Sequence, residues 1–546
     1  MSATSLPGAD PDTGGDAEPV LDAARKRNIL IAMCVSLMAV IASVSILNVA
    51  QQDLAVDFGA SQGTVLWIIN AYTLALAALL MPIGAIGDRW GRKPVLLLGL
   101  GLFGASSLLA AVANSSELML VARGLGGAAA AMIMPVTLSV ITSSFPAEER
   151  GQAIGVWAGV AGGGGIIGMF VAALMVDVAT WRWAFVLPLV LVAAGFFLSI
   201  KSVPNSREHS DHRFDIGGSI LSLFAIGGIV LGIHEGPEKG WGDPLTLVGL
   251  IVGGVALVGF IFWELRQADP LLDIRTFTNR GLTAGALTIM MLFAVMFGIF
   301  LVLFPFFQAI LGWSALHSAV ALLPMMAVMM PTSTLAAPRL VKRIGTRRTM
   351  LIGLLFAGFG LALLAIQASV AGGYFSVLPG LLVMGLGMGL SMTPSTEAIT
   401  ESLPADKQGV ASALNDTTRE VGGAVGVALL GSFVSSGYRS AIEPALAGLP
   451  HEISEPASEG IGNALGAVGQ GVASGALDQA TAGRVVVAAQ EAFVEGWVSA
   501  MWIGVAIVAA AFAWVLLRGP RSVGEDVLDA PSDDVGAGID GDLVTA

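Results

Sequence analysis

The sequence predicts an all-α integral membrane protein with fourteen transmembrane helices. Three observations carry that reading. Of the 546 residues, 55% are apolar and only 12% charged, against about 25% charged in a soluble domain. The apolar residues fall into fourteen runs, each near the ~20 residues that a spanning helix needs. Lys and Arg alternate between crowded and nearly empty connections, the pattern that a fixed membrane orientation leaves in a polytopic chain. A soluble chain this long would divide into several domains with charged surfaces, and this composition excludes that class. The 70 glycines follow no three-residue period, which excludes collagen. The single cysteine, Cys34, lies in an apolar run, so a disulfide framework is excluded too.

Taken in order, the runs lie at 29–50, 65–86, 95–113, 117–142, 152–176 and 184–201, then 216–234 and 246–265, then 282–310, 316–338, 348–369, 374–397, 408–434 and 491–517. The first starts just after Arg25, Lys26 and Arg27, and it is too long for a signal-peptide core, so no cleavable signal is expected. An even number of spans places both termini on one side. With that side taken as cytoplasmic, 21 of the 27 Lys and Arg residues are inside and only Arg182, Lys239, Arg439 and Arg484 outside, while Arg123 and Arg419 fall within spans. The expected location is therefore the cell membrane, multi-pass, with both termini cytoplasmic.

The net charge of -13 is not one field. Residues 1–27 carry -2 and residues 518–546 carry -5. Both tails are rich in Gly, Pro and Asp and read as solvated and disordered. No basic face suggests nucleic acid. One connection is long: residues 436–490 contain IGNALGAVGQGVASGAL and RVVVAAQEAF, with small and apolar residues at helical spacing. Breaks around Pro444, Pro450 and Pro456 argue against a fifteenth span. An extracellular helical hairpin beside the outer mouth is expected, with a disordered loop as the alternative.

The strongest motif is Gly84-Ala85-Ile86-Gly87-Asp88-Arg89-Trp90-Gly91-Arg92-Lys93. Its glycines permit close helix approach and a tight turn. Asp88 is suited to a helix N-terminus or an arginine, and Arg89, Arg92 and Lys93 pin the connection inside, facing anionic lipid. Such a cluster can latch two helix bundles in one conformation and release them in another. A weak repeat of it, APRLVKRIGTRRTMLIGL, follows the tenth run. Repeated halves are a transporter signature.

The string resembles the cytoplasmic motif of the major facilitator superfamily. Arg123-Gly124-Leu125-Gly126-Gly127 is similar to that family's R-x-x-Q-G motif, with Gly126 in place of Gln, and Gly159 to Gly168 resembles its glycine-rich antiporter motif, with Gly165 where Pro is common. Trp181-Arg182-Trp183-Ala184-Phe185, Gly240-Trp241 and Asp269-Pro270-Leu271-Leu272-Asp273 resemble marks of its fourteen-helix drug:proton antiporters of QacA/EmrB type. The resemblance covers about residues 28–518. It implies the major facilitator fold: a six-helix bundle at 28–201, a linker with two inserted helices at 202–280, and a second six-helix bundle at 281–518 that carries the 436–490 hairpin. The tails are then 1–27 and 519–546.

The departures concern charge. The family pattern L-D-x-T-x-x-N-V-A-L-P falls on residues 42–52, where Ser43 replaces the aspartate and Asn48 is retained. Asn70 and Met329 stand where some cation exporters place acids. With these acids missing, the resemblance implies a cavity for neutral or monovalent lipophiles, because a second buried ligand charge needs a second fixed counter-charge.

Ionisable residues within spans are expensive and functional by default. Arg123 either relays protons through hydrogen-bonded partners or holds the first span through Asn48, with a purely structural hydrogen-bonding arginine as the alternative. Asp416 and Glu420 are four apart and share a helix face, with Arg419 within pairing reach of Asp416. Either they titrate during transport or they form a structural ion-pair set. Glu397 is open between these roles, and Glu401, next to the turn LPADKQG, reads as solvated. Asp53, Asp57 and Glu117 sit at outer helix ends and are expected to be solvated. Trp67, Tyr72, Phe300 and Phe304, with Ser43, Asn48, Asn70 and Met329, are the candidate substrate surface, since adaptable Met and aromatic side chains suit promiscuous apolar ligands. No P-loop, nucleophile elbow, metal-ligand spacing or catalytic triad is visible, so neither an enzyme nor a cofactor is expected.

The expected activity is proton-coupled efflux of lipophilic small molecules by a monomer in the bilayer, through alternating access around a midplane site. Two alternatives stand beside it: export of a lipid or an endogenous metabolite, and a non-transporting receptor or scaffold with the same fold.

Overall fold

In the computed structural model, residues 22–204 and 214–520 are described. They are almost entirely helical, with no strand among them. Fourteen helical segments are long and apolar enough to cross a membrane. Spans 1 to 6 are Ala23–Val44, Gly63–Trp90, Arg92–Ala111, Ser116–Ser144, Ala147–Val176 and Trp181–Ser202. Spans 7 and 8 are Ile216–Pro237 and Pro244–Glu264. Spans 9 to 14 are Arg280–Ile310, Ala315–Ile344, Thr346–Gln367, Gly373–Glu401, Ala405–Leu446 and Gln479–Arg518.

Spans 1 to 6 pack on one another, as do spans 9 to 14. The two bundles meet mainly where span 13 crosses spans 2 and 4, and where span 5 runs along spans 10 and 12. Spans 7 and 8 pair with each other, and span 7 leans on spans 2 and 13. This is the arrangement of two six-helix bundles with an inserted pair that the resemblance implies. Large apolar side chains remain exposed along spans 7 and 8, among them Ile251, Val255, Phe262 and Trp263. In a membrane this is the lipid-facing surface.

Several boundaries differ from the expected ones. The first helix begins at Ala23, so Arg25, Lys26 and Arg27 lie on it rather than in the tail. Residues 1–21 and 521–546, and the expected features of both tails there, lie outside the described residues. Span 2 reaches Trp90, which puts Asp88 and Arg89 on helix instead of in a loop. The turn to span 3 is Gly91 alone, at φ 106°. A Cβ is strained there, and glycine has none. Gly345, at φ 85°, is likewise the single residue between spans 10 and 11. The weak sequence repeat is therefore a repeated backbone turn.

The helix of span 13 runs unbroken from Gln408 to Leu446 through Pro444, and span 14 has 40 residues. Each is ~60 Å long at 1.5 Å per residue, about twice the hydrocarbon thickness. Two short helices, His451–Glu459 and Ile461–Ala473, join them. Their buried Ile453, Ala457, Ile461, Ala464 and Val468 join this segment to the main hydrophobic core. The Tyr438 hydroxyl donates to Ala457 O at 2.9 Å and ties it to span 13. RVVVAAQEAF forms the first turns of span 14. At the far end of the first bundle, Asp57 accepts from Arg182 and from Trp181 Nε1 at 3.0 Å. It stays exposed at the helix end, as expected, while those donors hold its carboxyl below the usual range.

Candidate functional site

The motif residues build a contact between the two bundles. Asp88 is 7% exposed on the last turn of span 2. Its carboxylate accepts from Gly409 N at 2.8 Å and from Val410 N at 3.2 Å. These amides belong to the first turn of the span 13 helix, where N–H groups lack intrahelical partners and the helix dipole favours an anion. Asp88 thus caps a helix of the other bundle. Arg92, 2% exposed, donates to Asp88 Oδ1 at 3.2 Å and to Ala405 O at 3.5 Å. The approach depends on two glycines. A Cβ on Gly84 would lie 2.7 Å from both Ala413 Cβ and Gly409 O, and one on Gly409 would strike Gly84 O and Asp88. Lys93 donates to Ile200 O at 2.8 Å within its own bundle, while Arg89 is exposed at the helix end.

A second contact closes the same side. Ser333 of span 10 donates to Gly155 O at 3.0 Å. Gly155, Gly159, Gly162 and Gly163 present their bare α-carbons to Ser333, Met329 and Met326. The glycine run of span 5 is thus a packing face for span 10. Lys342, in the repeated turn, donates to Glu148 O at 2.9 Å. Glu397 lies against Gly151 at the start of span 5, and Arg150, Lys342 and Glu401 act on its charge. Glu397 is therefore at this closed seam, not at the bundle centre. Together these contacts shut the molecule at the end that carries the basic turns.

Deeper in, each bundle buries one arginine. Arg123, 3% exposed, donates to Ser43 Oγ at 3.1 Å and to Ser43 O at 3.4 Å. Its guanidinium lies 4.2 Å from the Tyr72 ring centre. Tyr72 donates to Val40 O at 3.2 Å, and Gly126 and Gly127 bring span 4 flush against it. Arg123 therefore holds span 1 through Ser43; the side chain of Asn48 lies outside the described ones. A cation–π contact and a serine replace a counter-carboxylate.

Arg419 lies between two rings, 4.6 Å from Phe293 and 4.9 Å from Trp157. It pairs with Asp416 at 3.4 Å, and both are almost wholly buried. Asn415 donates to Asp416 at 3.3 Å, Thr396 donates to Asn415 Oδ1 at 3.2 Å, and Trp157 Nε1 donates to Thr137 Oγ1 at 3.0 Å. Because Trp157 belongs to span 5, this polar chain crosses the bundle interface. Glu420, one turn beyond Asp416, is partly exposed and within coulombic range of both Arg419 and Tyr72. Gly422 and Gly426 press span 13 onto Met290 O and Ala294 O of span 9, which fixes the rotation of this face.

The structure gathers Ser43, Tyr72 and Arg123 into one group, and Asp416, Arg419 and Glu420 into a second beside it. It separates others. Trp67 lies under the Lys239 ammonium of span 7, 5.6 Å from its ring centre. Asn70, three residues on, shares that face and is half-buried. Met329 is 1% exposed and fills the gap at Gly162. Phe300 and Phe304 are partly buried against the core. Sequence reasoning missed Trp157, Asn415, Thr396 and Gly409. Only Trp157 carried a signal, as the lone aromatic before a glycine run.

With this geometry in view, the chain matches the Major Facilitator Superfamily over residues 32–427. It is 29% identical over 516 residues to the multidrug resistance protein Stp of Mycobacterium tuberculosis, covering 92% of this chain and 93% of that protein. It is 33% identical over 475 residues to the multidrug efflux pump LfrA of Mycolicibacterium smegmatis, covering 86% and 92%. Among solved structures it is similar in fold to the proton:xylose symporter XylE, with a TM-score of 0.58 over 92% of this chain and 97% of that one, at 14% identity.

Proposed function

The chain belongs to the major facilitator superfamily, and from that premise we propose that it exports lipophilic small molecules from the cell in exchange for protons. It works as a monomer in the cell membrane with both termini cytoplasmic, by rocking its two bundles around a central site. Asp88 and Gly409 hold the cytoplasmic side shut in one state. Release of that latch, with the Ser333–Gly155 and Lys342–Glu148 contacts, opens it in the other.

One observation carries the coupling: Glu420 lies one turn from the buried Asp416–Arg419 pair, whose arginine rests on Trp157 of the opposite bundle. A proton added to or removed from a carboxyl there changes the charge of a low-dielectric interface between the moving halves. That change biases the conformational equilibrium. Arg123 already neutralises part of this interface without a carboxylate of its own, so the site favours neutral or monovalent substrates over dications.

The test is counterflow in liposomes with an imposed pH gradient, using a panel of neutral, cationic and anionic lipophiles. Gradient-dependent export of neutral or monovalent members supports the proposal. Export of a lipid alone moves the assignment to that substrate, and no transport of any member leaves a scaffold.

A further inference from the structure

The inserted pair carries a polar centre that the transport mechanism does not use. Asp215 caps the span 7 helix, and its Oδ1 accepts from Gly218 N at 2.7 Å and from Trp263 Nε1 at 2.9 Å. Glu264 ends span 8 and is 0% exposed, and its Oε2 accepts from Leu272 N at 3.3 Å. Each carboxyl therefore has one oxygen satisfied. The other two, Asp215 Oδ2 and Glu264 Oε1, are buried and have no hydrogen-bond partner among the described residues. Both converge on the α-carbon of Gly218, where a Cβ would collide with each.

Two carboxylate oxygens gathered at the same glycine repel one another when both are charged. Burying a polar atom without a partner costs about 1–3 kcal/mol, and more when it is charged. Gly218 contributes no side chain, and among the described residues the charged groups acting on Glu264 are Asp215 and Lys407. The Lys407 ammonium is engaged elsewhere, donating to Pro270 O at 2.6 Å. A hydrogen bond between the two oxygens needs a hydrogen carried by one of the carboxyls.

We propose that Asp215 and Glu264 share one proton, forming an acid–carboxylate bridge at the inner end of the inserted helix pair. The bridge closes spans 7 and 8 on each other. It also reaches the latch. Glu264 holds the Leu272 amide, Pro270 in the same segment holds Lys407, and Lys407 directly precedes the helix whose Gly409 and Val410 amides bind Asp88. This gives the Asp269-Pro270-Leu271-Leu272-Asp273 string a task, since its backbone joins the inserted pair to the start of span 13. Loss of the shared proton leaves two facing carboxylates and strains that connection. The inference does not depend on what the protein transports.

Infrared spectroscopy of the purified full-length protein in H2O and D2O tests this. One protonated-carboxyl stretch is expected to vanish in Glu264→Gln and also in Asp215→Asn, because a shared proton needs both partners. Each substitution is isosteric, and its amide can donate to the remaining carboxylate, so folding should survive. A band that vanishes in only one of the two variants assigns the proton to a single group and overturns sharing. A spectrum unchanged in both overturns it as well, and leaves water or a cation between the oxygens. Thermal unfolding in detergent gives a second readout. The wild-type midpoint should fall as pH rises relative to the double variant, and parallel curves overturn the proposal.

Discussion

Asp88 and Gly409 are 321 residues apart in sequence, yet Gly409 N lies 2.8 Å from both carboxylate oxygens of Asp88. A side chain at the end of one bundle is the N-terminal cap of a helix in the other. Caps ordinarily come from the residue just before the helix. Here Lys407 stands in that place with no side-chain cap of its own. The start of span 13 is therefore capped from the opposite bundle and not from its own.

The first prediction follows directly. Asp88→Asn keeps the shape but turns an acceptor toward an amide donor and removes the charge that Arg92 faces. Leaving buried donors unmatched costs about 1–3 kcal/mol, roughly a ten- to hundredfold shift against the closed state. Membrane insertion should be normal, and gradient-driven transport should fall by that order. Wild-type transport by a well-expressed variant would remove the gating role.

Gly84 tests the same contact sterically. Gly84→Ala puts a methyl 2.7 Å from both Ala413 Cβ and Gly409 O. Shortening the partner with Ala413→Gly relieves only one of these collisions, since the other is with backbone. The single variant should lose closure, read as increased thiol labelling of a cysteine placed at the span 13 start in a Cys34→Ser background. The double variant should regain little. Full recovery would show that the backbone approach is not limiting.

How much of this was legible beforehand differs by scale. Hydropathy and the Lys and Arg distribution located the spans because each is a local property of the chain. Asp88 was legible as half of a latch, but Gly409 was not. Its contribution is a backbone N–H, which every residue but proline has, and LPADKQG reads as an ordinary solvated turn. Trp67 and Met329 were assigned to a cavity, yet one lies under Lys239 and the other is packed into a glycine gap. A helix that is apolar all round gives no stripe to say which face turns inward. Arg419 could be paired with Asp416 from spacing alone, whereas its stacking on Trp157 depends on how two bundles dock.

Ser43 offers a test of selectivity. Arg123 Nη1 is 3.1 Å from Ser43 Oγ. Ser43→Ala removes that acceptor and should destabilise the protein by about 1 kcal/mol, the usual net value of such a bond, seen as a lower unfolding midpoint. Ser43→Asp instead gives Arg123 a direct counter-charge. That neutralises the arginine and makes the group of Ser43, Tyr72 and Arg123 less positive. Relative export should then shift from neutral toward cationic substrates. An unchanged substrate ranking in Ser43→Asp would separate Arg123 from selectivity.

The last prediction concerns which carboxyl couples. Asp416 and Glu420 share a face, but their surroundings differ. Asp416 is 0% exposed, receives Asn415 at 3.3 Å and is paired with Arg419 at 3.4 Å. Its charge compensates a buried cation, and removing one partner of such a pair typically costs about 3–5 kcal/mol. Asp416→Asn should therefore reduce the yield and thermal stability of folded protein, while whatever folds keeps its pH dependence. Glu420 is partly exposed and not committed to Arg419 in this way, so its proton can come and go without dismantling the fold. Its charge acts on Tyr72 of the first bundle, which makes its titration felt by both halves. Glu420→Gln should fold normally, bind substrate with near wild-type affinity and lose pH-gradient-driven efflux by at least tenfold. Binding and transport measured on the same preparation separate the two carboxyls. Full proton-driven efflux by Glu420→Gln would move the coupling site to Asp416 or Arg123. Glu397 is the weaker substitute, because it sits at the closed seam rather than between the two arginines.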